Sequence, residues 1–143
     1  MTKRMTPEQC RQFLTERVRT AAIGTVRPDG RPHVAVIWFD LDGDTLVFTT
    51  WHKSVKRANL RHNPQVCICV DDETPPYAYV QIEGTAELTE NDPDHLYWAT
   101  RIAGRYMGAD QAERYGKRNA VEGELLVRVR ITRIMGEEDI AGW

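Results

Sequence analysis

The chain is 143 residues long, 41% hydrophobic and 28% charged, with 19 Lys and Arg against 21 Asp and Glu and a formal net charge of −2. That length suits one domain, residues 1–143, with room for a proper core, and the near-balance of charge argues against nucleic acid, whose partners carry a basic excess or stripe. No apolar run reaches membrane-spanning length, and the polar start MTKRMTPEQ does not read as a signal peptide.

Thr6-Pro7-Glu8-Gln9 reads as a helix start, with Thr6 as N-cap, Pro7 at the first helical position and Gln9 completing a capping box. Cys10, Phe13, Leu14, Val18 and Ala21 then recur at helical spacing, which predicts one apolar face packed on a sheet. Ala22 to Val26 reads as a short strand, turned by Pro28-Asp29-Gly30 into a second, His33 to Asp40. Asp42-Gly43-Asp44 turns the chain again into Thr45–Thr50, so the expectation is a three-stranded antiparallel meander. The second strand is almost continuously apolar, which suggests burial on both faces, one by the core and one by a partner subunit or a flat ligand.

From Leu46 to Pro64 the sequence is LVFTTWHKSVKRANLRHNP: a strand, a turn, and a short helix opening at Ser54 and closed by Asn63-Pro64. A helix start carries unpaired N–H groups and the positive end of the dipole. With Ser54 as N-cap and Lys53, Lys56 and Arg57 around it, this start is a candidate anion site. Gln65 to Val70 reads as a buried strand, Tyr77 to Leu88 as a long strand with a bulge or a sharp bend at Gly84, and Asn91-Asp92-Pro93 as the start of a helix ending between Gly104 and Gly108. One or two further turns over 109–117 precede a last strand, Glu124 to Met135. There Leu126, Arg128, Arg130 and Thr132 predict a wet face and Leu125, Val127, Val129 and Ile131 a buried one. The sum is an α+β fold, a six-or-so-stranded, mostly antiparallel barrel with flanking helices.

Self-contained catalysis finds little support. No GxSxG elbow, Walker loop or GxGxxG is present, and His33, His52, His62 and His95 form no HxH or HExxH, so neither a catalytic side chain nor a metal set is assigned. Cys67 and Cys69, two apart on one strand, are poorly placed to bridge and read as packed core thiols of a reducing, cytoplasmic compartment. An enzyme of this composition would draw its reactivity from a bound cofactor.

DGRPHVAVIWF, then LVFTTWHKSVKRANLRHNPQVCICVDD, YVQIEGTAEL and the closing VRVRITRI resemble the pyridoxamine-5′-phosphate-oxidase-like split β-barrel superfamily. More narrowly, they resemble its actinobacterial-type branch of F420-dependent or FMN-dependent oxidoreductases. The resemblance spans nearly the whole chain and implies a homodimer with cofactor sites at the subunit interface. It implies that Lys53, Ser54, Lys56 and Arg57, with Asn59 beside them, hold the cofactor phosphate, and that Thr49 and Thr50 lie near the ribityl chain. His33, Ala35, Val36, Ile37 and Trp38 would lie along the ring, and Trp98, Tyr106 and Trp143 are candidates for a second-subunit contribution. The pyridoxal-binding signature near the C-terminus of the phosphate oxidases has no counterpart. The expected function is hydride transfer between reduced coenzyme F420 and a small organic acceptor, with FMN as the alternative cofactor. His33 and Tyr79 are the candidate proton donors. The longer basic run Lys53, Lys56, Arg57, Arg61 and His62 favours F420, whose acidic tail needs a wider cationic groove than one phosphate does. A non-catalytic flavin- or haem-binding module on the same barrel is the competing reading.

Overall fold

The computed structural model describes residues 1–142, so Trp143 lies outside the described residues. It opens with a two-residue strand β1 (Lys3–Arg4) and helix α1 (Pro7–Glu16), then β2 (Ala21–Val26), β3 (Pro32–Ile37), β4 (Asp40–Asp42) and β5 (Thr45–Trp51). Helix α2 (Val55–His62) leads into β6 (Gln65–Asp72) and β7 (Ala78–Thr89); α3 (His95–Met107), a 3-10 turn at Ala109–Gln111 and α4 (Ala112–Arg118) precede the long β8 (Glu124–Glu138). All strand pairs are antiparallel, in the order β3-β2-β6-β7-β8-β5-β4 with β1 on the free stretch of β8. This is the expected α+β split barrel, with eight strands rather than about six.

Helix α1 starts as its sequence dictates: the Thr6 hydroxyl accepts from Gln9 N–H at 3.1 Å while Gln9 Oε1 accepts from Thr6 N–H at 2.8 Å. It stops sooner than its apolar spacing implies. Val18 is exposed and Ala21 already belongs to β2. The last-turn carbonyls are taken by guanidinium groups from elsewhere, Arg19 on Phe13 O at 2.6 Å and Arg105 on Leu14 O at 3.2 Å.

The expected meander is broken. The run His33–Asp40 is not one strand: β3 pairs with β2 at one end of the sheet and β4 with β5 at the other. The cause is helix α3. Trp38 stacks on Tyr106 at 5.1 Å with rings 3° apart, and the Phe39 N–H donates to Tyr106 Oη at 3.2 Å. Arg105 donates to the Phe39 carbonyl. Backbone groups that would extend a ladder are satisfied by side chains instead. Buried Asp40 completes the clamp, with Arg101 Nε at 3.2 Å and Arg105 Nη1 at 3.5 Å.

Apolar runs also mislead about burial. In β6 only Val66, Ile68 and Val70 point inward; Cys67 and Cys69 are exposed on the outer face and are not core thiols. In β3, Val34 and Val36 are 68% and 67% exposed on the face expected to meet a partner subunit or a flat ligand, while Ile37 is buried in the core. In β8, Leu126 sits on the side expected to be wet yet is buried with Val47 and Trp98 beneath α3. The Gly84 bulge is present: the β7–β8 register shifts between Glu83 and Gly84, and a Cβ there would lie 2.6 Å from Val129 Cγ1 and 2.7 Å from Arg130 O.

Candidate cofactor site

Strand β5 delivers Thr49 and Thr50 to the start of α2, where Ser54 is the N-cap. Its hydroxyl accepts from Arg57 N–H at 3.1 Å and shares a 2.8 Å hydrogen bond with Thr50 Oγ1. With Thr50 as the donor, the Ser54 proton is left for an anion. The N–H groups of Val55 and Lys56 precede the first intrahelical donor, Ala58 N–H on Ser54 O at 3.3 Å, so they too face outward from the helix start.

A cleft of about 410 Å³ opens beside this turn, within the size range of small-molecule sites. Six of the expected residues line it: Val36, Ile37, Trp38, Thr49, Thr50 and Lys56. Its other wall was not anticipated. Ala99 and Ile102 come from α3, Arg118 and Asn119 from the end of α4, and Glu124 from the start of β8, opposite Trp51 in register. Arg118 reaches it because α4 packs tightly on α3; a Cβ on Gly116 would lie 2.3 Å from Thr100 Oγ1. No local pattern around Arg118 announces that placement. Glu124, a lone carboxylate opening an apolar strand, was the one available signal.

Two of the charges here, Lys56 and Glu124, are partly desolvated. Burial pushes the Lys56 amine below its ordinary value, with Glu124 pulling the other way. Burial likewise raises the Glu124 carboxyl, offset by Arg118, Lys56 and His52. Among the described residues, neither Lys56 nor Arg118 has a carboxylate within 4 Å. Two cations without partners, one of them half-buried beside a helix start, fit an incoming phosphate. The apolar strip Val36, Ile37, Ala99 and Ile102 fits the face of a ring.

The remaining expected residues lie elsewhere. Lys53 is exposed. His33 and Ala35 lie on the opposite face of β3 from Val34 and Val36, half-buried across from Thr25 and Ile23. Asn59 is 2% exposed and donates to Thr25 Oγ1 at 3.0 Å, a bond that pins α2 to the sheet. Arg57 lines a second, larger cleft of about 840 Å³. Arg61 pairs with Glu90 at 3.3 Å, so the basic run does not converge into one groove. Trp98 is built into the core and the Tyr106 hydroxyl donates to Arg19 O at 2.7 Å, so neither is free to reach a partner's site. Neither His33 nor Tyr79 lines either cleft.

A family model described as pyridoxamine 5′-phosphate oxidase matches residues 6–135. The chain belongs to the pyridoxamine 5′-phosphate oxidase family. A pyridoxine/pyridoxamine 5′-phosphate oxidase of Myxococcus xanthus is 29% identical over 103 residues, 71% of this chain and 50% of that protein. The chain therefore spans about half the length of the curated relatives it matches. Among solved structures, an F420 reductase is 32% identical with a TM-score of 0.68, over 86% of this chain and 94% of that one. A conserved hypothetical protein of Mycobacterium tuberculosis is 27% identical with a TM-score of 0.77, over 91% and 82% of the two chains. Within the pyridoxamine 5′-phosphate oxidase family, this member thus matches a short F420 reductase nearly end to end and the longer phosphate oxidase only in part.

Proposed function

We propose that this family member is an F420-dependent oxidoreductase that transfers a hydride between the reduced deazaflavin and a small organic acceptor. The observation that carries the reading is the cleft in which half-buried Lys56 and exposed Arg118 stand, among the described residues, without carboxylate partners at the foot of an apolar strip from β3 and α3. Lys56, Arg118 and the start of α2 would hold the phosphate. Thr49 and Thr50 would hydrogen-bond the polyol, and Val36, Ile37 and Trp38 would position the ring. The bound deazaflavin or flavin supplies the hydride chemistry. The chain's own part is to orient the ring and exclude water, for which the apolar walls suffice. F420 is preferred over FMN because an F420 reductase is among the nearly full-length likenesses and is 32% identical. The compact cleft would also admit FMN.

The working unit is proposed to be a homodimer. Val36 both lines the cleft and stands 67% exposed on the outer sheet face, so a second protomer laid on that face would close the site. No helix among the described residues is long and apolar enough to cross a membrane, and three unpaired thiols suit a reducing, cytoplasmic compartment. The test is a side-by-side binding titration with F420 and FMN, followed by oxidation of the reduced, bound cofactor with and without a panel of enones and quinones. Substrate-stimulated oxidation with F420 is expected. Binding of neither cofactor would overturn the assignment, and binding without turnover would make the protein a carrier.

A further inference from the structure

Successive residues on a helix diverge by about 100°, and the basic turn of α2 is divided accordingly. Lys56 enters the smaller cleft and Arg57 the larger one, between the starts of α3 and β8. Arg57 Nε is buried without a hydrogen-bond partner, and among the described residues no carboxylate comes within 4 Å of this guanidinium. Two of the four carboxylates on the same walls are already engaged. Asp92 receives Arg128 at 2.6 Å and 3.4 Å, and Glu90 pairs with Arg61 at 3.3 Å. Glu124 faces Lys56, Arg118 and His52, and Glu122 is exposed to solvent. Arg57 is thus, among the described residues, a cation of this cleft without a carboxylate partner. Around it stand Pro93, Leu96, Val121 and Leu125, with Leu96 and Val121 about half exposed and available to cover.

We infer that the larger cleft binds a small monocarboxylate with an apolar or aromatic body, its carboxylate held by Arg57 and its body by Leu96, Val121 and Pro93. An unpaired guanidinium recognises a planar carboxylate bidentately. The surrounding carboxylates limit the ligand to one negative charge, because a second would meet Glu122 or Glu124. Glu124 lies on the wall of both clefts, so the two sites adjoin. That the carboxylate is the hydride acceptor rests on the proposed redox function; the binding site itself does not.

The test is amide NMR titration of the unliganded full chain with benzoate, with benzamide as its uncharged counterpart, and with γ-glutamylglutamate as an analogue of an acidic cofactor tail. Benzoate is expected to shift the amides of Leu96, Val121 and Gly123 and to bind at least about tenfold more tightly than benzamide. Arg57→Gln should remove that preference, whereas Lys56→Gln should leave it and weaken only F420 or FMN. Equal binding of benzoate and benzamide by the wild-type chain would overturn the site without any variant. So would saturation at Thr49 and Thr50 instead, or no shift at millimolar benzoate. Tighter binding of γ-glutamylglutamate than of benzoate would reassign Arg57 to the cofactor tail. Failure of cofactor binding with benzoate binding intact would count against the redox reading alone.

Discussion

Replacing Lys56 by Met should move stability and ligand binding in opposite directions. The amine is half-buried, its pKa is depressed chiefly by desolvation, and its nearest opposing charge, Glu124, is not within ion-pair distance. In the free protein it is therefore a cost. Because half of its surroundings remain solvated, the relief is small, on the order of 0.5–1 kcal/mol. For a chain of this size that is a rise in Tm of about 1–4 °C. The sign with pH follows. A lysine whose folded pKa lies below its unfolded value costs stability at neutral pH, and that cost fades as pH rises toward 10.5. The wild-type advantage of high pH should be absent in the variant. With an anion bound, the same amine makes a charge-assisted hydrogen bond whose loss costs about 1.5–3 kcal/mol, roughly ten- to hundredfold in Kd. At a cofactor concentration of about 100 times the wild-type Kd, ligand stabilises the wild type by about 2.7 kcal/mol. The variant under the same conditions should gain only about 0.4–1.4 kcal/mol. Thermal melts with and without F420 or FMN read both effects. A variant that melts lower when free and keeps the full ligand-induced shift would show Lys56 to be structural and refute its place in the anion site.

Three further outcomes follow from the packing. Gly84→Ala forces a Cβ to within 2.7 Å of the Arg130 carbonyl, so urea unfolding should show a loss of about 2–4 kcal/mol; a loss below about 0.5 kcal/mol would mean the bulge is easily remodelled. Asp92→Asn removes the negative charge and one of the two oxygens that accept from Arg128, the main cause of that carboxyl's lowered pKa, and should cost about 1–3 kcal/mol near neutral pH. A lowered carboxylate pKa gives stability that is full above 3.8 and fades as pH falls through the folded value, so the gap between wild type and variant should close in acid; a gap independent of pH would assign the effect to packing. Val36→Glu places a charge at a position 67% exposed on the outer sheet face, and light scattering should show a wild-type dimer turned monomeric; an unchanged mass would place the interface elsewhere.

What the sequence disclosed was local. The Thr6 capping box, the Ser54 cap, the Asn63-Pro64 stop and the Gly84 bulge each follow from residues within a few positions of one another, and each is present. What it concealed was set at a distance. The interruption at Trp38–Phe39 depends on Tyr106 and Arg105, more than sixty residues on in the chain. Apolar runs such as VCICV contain no mark of which alternate residues face solvent, because Cys and Val satisfy either side of a sheet that a partner can cover. Arg118 enters the site through the packing of α4 on α3, which no spacing rule encodes.

The same distinction explains Asn59. Local reading places it beside the phosphate-binding cations, and its amide instead binds Thr25 inside the barrel while Leu60 next to it is buried. Those two contacts fix the rotation of α2 about its axis. Lys56 and Arg57 are about 100° apart on that axis, so the rotation decides which cation enters which cleft. A helix turned by one residue would put Arg57 where Lys56 now lies and would drag the polar Asn59 amide out of, or an unmatched side chain into, the buried contact with Thr25. An unsatisfied Thr25 hydroxyl costs about 1–3 kcal/mol, enough to hold the register against exchange. The sequence near Ser54 therefore supplies the charges, and the buried Asn59–Thr25 pair, thirty-four residues apart in the chain, aims them.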